Sequence, residues 1–204
     1  MTAVFASARH KQKFLHDLRA YLAARALVPD TTYEAPALKL DPKLSCLINW
    51  LRCTLNFYDV LPIKADLTHV LDRWFLWLLE DELRTYRTSA PVTALYRRRL
   101  AGDEPTTKEW RSAATRAAYT AADANASNAA RAAANAAEAA ARAATRTVNT
   151  AYADNAAAHA AAASSWIIAT NAANAHKECV KRMREALIKI VKQIPRRGIV
   201  SSTS

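Results

Sequence analysis

The chain has 204 residues, a formal charge of +11, 51% hydrophobic residues and only two glycines. That length suffices for one domain or two small ones with a buried core, and so little glycine disfavours all-β folds and glycine-rich phosphate loops. The charge is uneven: net +4 over residues 1–28, −1 over 29–106, +2 over 107–160 and +6 over 176–197. Excess base at both ends favours an anionic partner, whether an acidic protein surface, a nucleotide or nucleic acid.

In chain order, the first predicted element is a helix from about Val4 to Leu27, where Phe14, Leu15, Leu18, Tyr21 and Leu22 recur at helical spacing. Pro29 ends it, and residues 29–42, with three prolines and two threonines, read as an irregular connector. A second helix is expected from Pro42 to Tyr58, its apolar stripe formed by Leu44, Leu47, Ile48, Leu51 and Leu55. Leu61-Pro62 separates it from a third, Ala65 to Thr88. There Leu67, Val70, Leu71, Trp74, Phe75, Trp77, Leu78 and Leu79 cover most of the circumference and mark the centre of the core. Glu80-Asp81-Glu82 is expected to form a solvated turn facing bases such as Arg97–Arg99. A short basic helix starts at Pro91 and ends at Gly102.

The remainder is dominated by alanine, which fills 29 of the 55 positions from Arg111 to Ser165; glycine and proline are absent from Thr107 to Ile194. Alanine is the strongest helix former and carries no catalytic group. Thr106 and Glu109, three apart before Trp110, have capping-box spacing. An unbroken helix from there to Ile194 would be roughly 130 Å long, so a bend is expected, near Thr147–Thr150 or near Ser164-Ser165. Within the tract Arg116, Ser127, Glu138 and Asn149 are each eleven apart, a period that keeps a polar stripe nearly straight along a helix. The opposite alanine face would let helix axes approach closely. The last helix, Ile167 to Ile194, is amphipathic and basic.

The fold expectation is therefore all-α: a helical bundle with long alanine-rich, closely packed helices. Residues 1–105 form a helical part with an aromatic core helix, 106–194 a helical hairpin or bent helix packed on it, and 195–204 a flexible tail.

Candidate chemistry is sparse. Cys46, Cys53 and Cys179 match neither a disulfide framework nor a zinc motif, and read as free thiols of a reducing compartment. The five histidines are dispersed without metal-ligand spacing, and His159 reads as a surface or satisfied residue. The start lacks an apolar stretch long enough for a secretory signal, and Val70 to Leu79 is too short to span a bilayer. The expectation is a cytoplasmic, non-enzymatic protein, with no cofactor, metal or membrane association.

Trp74, Trp77 and Trp110 read as core, with base stacking beside arginines as the alternative. If the polar stripe lines a ligand groove, Arg116, Tyr119, Arg131, Asn135, Arg142 and Arg146 would form it. Arg97, Arg98, Arg99, Lys181 and Arg182 would contact a partner or anion. Long small-residue faces also invite a homodimer. No helix-turn-helix is legible, so nucleic-acid binding, if any, would not be sequence-specific.

The order of features carries a resemblance. Asp72-Arg73-Trp74-Phe75-Leu76-Trp77-Leu78, a short basic helix, and Ala101-Gly102-Asp103-Glu104-Pro105-Thr106-Thr107-Lys108-Glu109-Trp110 are followed by the alanine-rich run and a closing basic helix. Over residues 65–194 this resembles the alanine-rich Imm-5-like immunity proteins of bacteria and phages. The resemblance implies an all-helical, non-enzymatic protein that neutralises a target, as an immunity or phage counter-defence inhibitor does, and transfers no site residue. The second reading is a binder of anionic ligands, a sponge for a nucleotide second messenger or a nucleic-acid binder. A third, ice binding, needs a row of threonines at the eleven-residue period, but the positions beyond Thr115 are Ala126, Ala137 and Val148.

Overall fold

A computed structural model describes residues 5–27, 47–48, 51, 54–63, 65, 67–84, 86, 89–123, 128–145 and 173–194. These form an all-α bundle: α1 (Ala8–Leu27), α2 (Thr54–Val60), α3 (Leu67–Trp77), α4 (Ala90–Leu100), α5 (Thr107–Ala122), α6 (Asn128–Thr145) and α7 (Ala173–Lys192). No strand occurs among the described residues. None of the described helices is long and apolar enough to cross a membrane.

The aromatic helix supplies the centre, as its pattern requires. Val70, Leu71, Trp74 and Phe75 are buried, while Trp77 packs partly buried against them. The Trp74 indole Nε1 donates to the Met183 carbonyl of α7 at 3.3 Å. The helix does not continue to Thr88. It widens into a π-turn, Leu78–Glu82, closed by the Leu83 amide on the Leu78 carbonyl at 3.1 Å. A π-turn shifts the residues after it around the helix axis, and Glu82 thereby faces α7. At the other end of the core, Phe5, Phe14 and Tyr58 form an aromatic contact chain at 5.7 and 4.9 Å. Lys11 Nζ donates to the carbonyls of Asp59 and Leu61 at the end of α2, satisfying acceptors that a helix C-terminus leaves open.

Two local signals set the direction of the chain into the alanine hairpin. After α4, the Gly102 amide reaches the Arg99 carbonyl at 3.1 Å and the Asp103 amide the Arg98 carbonyl at 2.9 Å. This is a Schellman motif, whose turning residue must adopt positive φ; Gly102 has φ 89°. Thr106 then caps α5: the Glu109 amide donates to its hydroxyl at 3.3 Å, and its own amide donates to Glu109 Oε2 at 2.7 Å.

The alanine tract breaks earlier than its composition implies. α5 ends at Asp123, whose backbone is extended (φ −61°, ψ 120°), and α6 begins at Asn128. Asp123, Asn125, Ser127 and Asn128 fall within six residues, and their side chains offer the backbone alternatives to helical hydrogen bonds. The polar stripe through Arg116, Ser127, Glu138 and Asn149 is therefore not one line on one helix. The expected bends near Thr147–Thr150 and Ser164-Ser165 lie outside the described residues, as do the 29–42 connector, Cys46, Cys53, Arg146, His159 and the tail.

α5 and α6 make the most extensive helix–helix contact among the described elements. Tyr96 lies 4.9 Å from Trp110 near the start of α5, and its hydroxyl donates to the Ala140 carbonyl near the end of α6 at 2.8 Å, so the two helices run antiparallel. Ala113, Ala114 and Ala117 of α5 are buried. On α6, Ala133, Ala134, Ala136, Ala137, Ala140 and Ala141 have no exposure at all. Arg131, Asn135, Glu138 and Arg142 form a narrow polar ridge there, at steps of four, three and four.

Two stability predictions follow from these contacts. A Cβ at Gly102 meets nothing within 4 Å, so the cost of Gly102→Ala is conformational alone. Urea unfolding should show a loss of about 1 kcal/mol, with Gly102→Asn losing less. Ala137→Leu forces a larger side chain into a filled contact and should cost about 1–3 kcal/mol. The same change at exposed Asn135 should stay within about 0.5 kcal/mol.

Candidate functional site

The basic clusters legible in the sequence are built into ion pairs. At the end of α4, Arg97 Nε donates to Glu80 Oε1 at 2.5 Å, as the acidic turn led one to expect. Arg98 Nε reaches Asp103 Oδ2 at 2.6 Å, and Arg98 Nη1 reaches Glu109 Oε1 at 2.5 Å. Arg99 pairs with Glu104 at 3.0 Å and with Asp72 at 3.5 Å, and its guanidinium lies 5.7 Å from the Trp110 ring centroid, within cation–π range. Glu82 turns to α7 instead, where Arg182 grips both of its oxygens at 2.8 and 3.0 Å. Lys181 stands 3.8 Å from Glu178 on an exposed flank.

These pairs set the titration of their members. Hydrogen bonds from Arg98 and from the Thr106 amide and hydroxyl hold the Glu109 carboxyl down at about 2. Asp103 is likewise lowered by its hydrogen bond from Arg98, and Arg98 is raised by both acids. Arg182 is raised by its hydrogen bonds to Glu82. Burial, with Glu82 beside it, pushes the Cys179 thiol up to about 12, which suits a buried packing residue and not a nucleophile. Burial and the charge of Asp72 raise the Tyr96 phenol well above its ordinary range. Among the described residues no group of three His, Cys, Asp or Glu side chains could hold a metal ion.

The six residues proposed for a ligand groove separate. Arg116 and Tyr119 share the outer face of α5, where Tyr119 is 74% exposed. Arg131, Asn135 and Arg142 belong to the α6 ridge. Arg131 Nε donates to the Asp123 carbonyl at 3.3 Å, bracing the end of α5. Arg142 is paired with Glu138 one turn before it. Arg131 and Arg142 lie about 16 Å apart along the helix, too far to hold one phosphate together. Arg146 lies outside the described residues.

The outer face of α5 contrasts with these paired clusters. Lys108, Arg111, Ser112, Thr115, Arg116 and Tyr119 project from it, all exposed. The side chains of Lys108, Arg111 and Arg116 make no ion pair or hydrogen bond among the described residues. Beside this face, between α4 and α5, runs an open groove of about 190 Å³ lined by Pro91, Leu95, Glu109, Ser112, Ala113 and Arg116. A row of unpaired bases ending in an exposed tyrosine can bind an acidic surface. It offers neither a general acid–base pair nor a nucleophile.

The Arg98–Glu109 contact has a measurable pH signature. The depressed carboxyl contributes stability that is present above 4.5, its unperturbed value, and lost as pH falls toward about 2. Carbonyl-detected NMR titration should place the Glu109 midpoint near 2, and Arg98→Ala should move it up toward 4.5. An unmoved midpoint would show that the pair does not hold in solution.

No family model matches the sequence, no curated protein is detectably similar to it, and no solved structure matches its fold.

Proposed function

We propose that the chain is a non-enzymatic helical binding protein that neutralises an acidic partner protein in the bacterial cytoplasm, as an immunity or phage counter-defence inhibitor does. The observation that carries this reading is the outer face of α5: Tyr119, 74% exposed, follows Lys108, Arg111 and Arg116 on one side of a capped helix. Tyrosine and arginine dominate the energetics of protein interfaces, because each brings a large contact area and a polar head at modest entropic cost. The inner side of the same helix is fixed by buried Trp110, Ala113, Ala114 and Ala117, so the face is presented pre-organised and little ordering has to accompany binding. The order of aromatic helix, basic helix and alanine hairpin adds the resemblance to the immunity family.

The reading is tested by affinity capture from a bacterial host, with mass spectrometry of both proteins and small molecules in the eluate. The expected result is an acidic protein retained in stoichiometric amount, with Tyr119→Ala weakening its binding by about 2 kcal/mol. Release of an intact nucleotide on heating, with no retained protein, would replace this reading by the nucleotide sponge. Nucleic acid whose retention falls steeply with salt would replace it by non-specific nucleic-acid binding.

A further inference from the structure

The groove between α4 and α5 differs from the other charged surfaces in how its charges are engaged. Its lining combines the apolar Pro91, Leu95 and Ala113 with the polar Ser112, Glu109 and Arg116. Glu109 is committed: Oε1 accepts from Arg98 at 2.5 Å, and Oε2 accepts from the Thr106 amide at 2.7 Å and hydroxyl at 2.8 Å. Three of the roughly four acceptor positions of a carboxylate are thus filled. Arg116 is not within ion-pair distance of it, and the guanidinium has no acid among the described residues. Arg98 is shared between two acids, Asp103 and Glu109, so this set leaves one net negative charge at the groove. Arg116 lines the groove, and Lys108 and Arg111, exposed on the same face of α5, add two further bases that outweigh that charge. An approaching group therefore meets a strong donor fork at Arg116 beside an apolar lining, on a helix face that carries two further bases.

Resting on the reading of the chain as a binder of an acidic protein, we propose that this groove is the docking site for one glutamate or aspartate side chain of that partner. Arg116 takes the carboxylate, Leu95 and Ala113 receive its methylene stem or an adjacent apolar side chain, and Tyr119 covers the neighbouring backbone from one turn further along α5. Charge complementarity selects an acidic residue. A lysine or arginine entering the same groove would be repelled by Arg116 and would find Glu109 already occupied.

The test is panning of phage-displayed random dodecapeptides against the full chain. Wild type is expected to enrich peptides with an aspartate or glutamate next to an apolar residue. Ser112→Trp, which fills the groove from an exposed position, and Arg116→Glu should each weaken the selected peptides about tenfold or more. Lys13→Glu, at an exposed position of α1, should leave them unchanged. Arg116→Gln, which keeps the stem and removes the charge, should show the same loss, and it decides the matter should charge reversal disturb folding, as judged by circular dichroism. Peptides without an acid, no enrichment, or binding indifferent to Ser112→Trp and Arg116→Gln would each overturn the groove assignment. If a protein captured from the cell still binds both of those variants while Tyr119→Ala weakens it, the groove assignment falls and the binding function stands.

Discussion

Tyr96 is fully buried, and three neighbours define its position: Phe75 stacks on it at 5.5 Å, Trp110 meets it edge-on at 4.9 Å, and the Ala140 carbonyl accepts its hydroxyl at 2.8 Å. These contacts come from α3, α5 and α6, so one side chain on α4 fixes the aromatic core helix against both arms of the alanine hairpin. A buried hydroxyl without an acceptor would be costly. The bundle can therefore close only in the register that brings Ala140 to this oxygen. Arg99, one turn beyond, extends the constraint outward, lying over Trp110 and pairing with Asp72.

That register explains why the hairpin is made of alanine. α6 lies inside the bundle with Ala133, Ala134, Ala136, Ala137, Ala140 and Ala141 fully covered. A helix enclosed on so much of its circumference by larger side chains would push its neighbours apart and pull Ala140 away from Tyr96. Small side chains keep the axes close, and the loss of apolar area per residue is offset by contact on several sides. The helix with the most alanine presents a narrow polar ridge to solvent, and two of its side chains, Glu138 and Arg142, pair with each other. α5, by contrast, is buried on one side and presents the other to solvent.

Much of the fold was legible because it rests on local signals: the apolar periodicity of α3, proline and Gly102 around α4, and the Thr106–Glu109 capping box. Two features were not read. The break at Asp123 was masked by the count of alanines, although four cap- and turn-favouring residues crowd into six positions there. The π-turn at Leu78–Glu82 has no sequence signature, because the same residues continue an α-helix equally well. Of the six residues that the polar stripe and its nearby aromatics suggested, Arg116 and Tyr119 share one face of α5, and the α6 residues grouped with them belong to another surface. The cluster Arg97–Arg99 looked like an anion site because bases are conspicuous and their acids are scattered. Asp103, Glu104 and Glu109 follow within twelve residues and could have been weighed against them, whereas the Glu82–Arg182 contact spans 100 positions that no local pattern bridges.

The charge of +11 thus has a different meaning from the one its clusters imply. Adjacent bases repel one another, and a fold that gathers Arg97, Arg98 and Arg99 on one helix end is stable only when acids converge on them, which Asp72, Glu80, Asp103, Glu104 and Glu109 do. The densest basic run is therefore the most completely neutralised. Lys108, Arg111 and Arg116 are spaced along α5 at three and five residues, far enough apart to tolerate one another in water without acids of their own. A dispersed row keeps its field available to a partner, and a cluster spends its field on the fold. Among the described residues of this small basic protein, the bases without an ion pair on α5 lie in the dispersed row and not in the dense run.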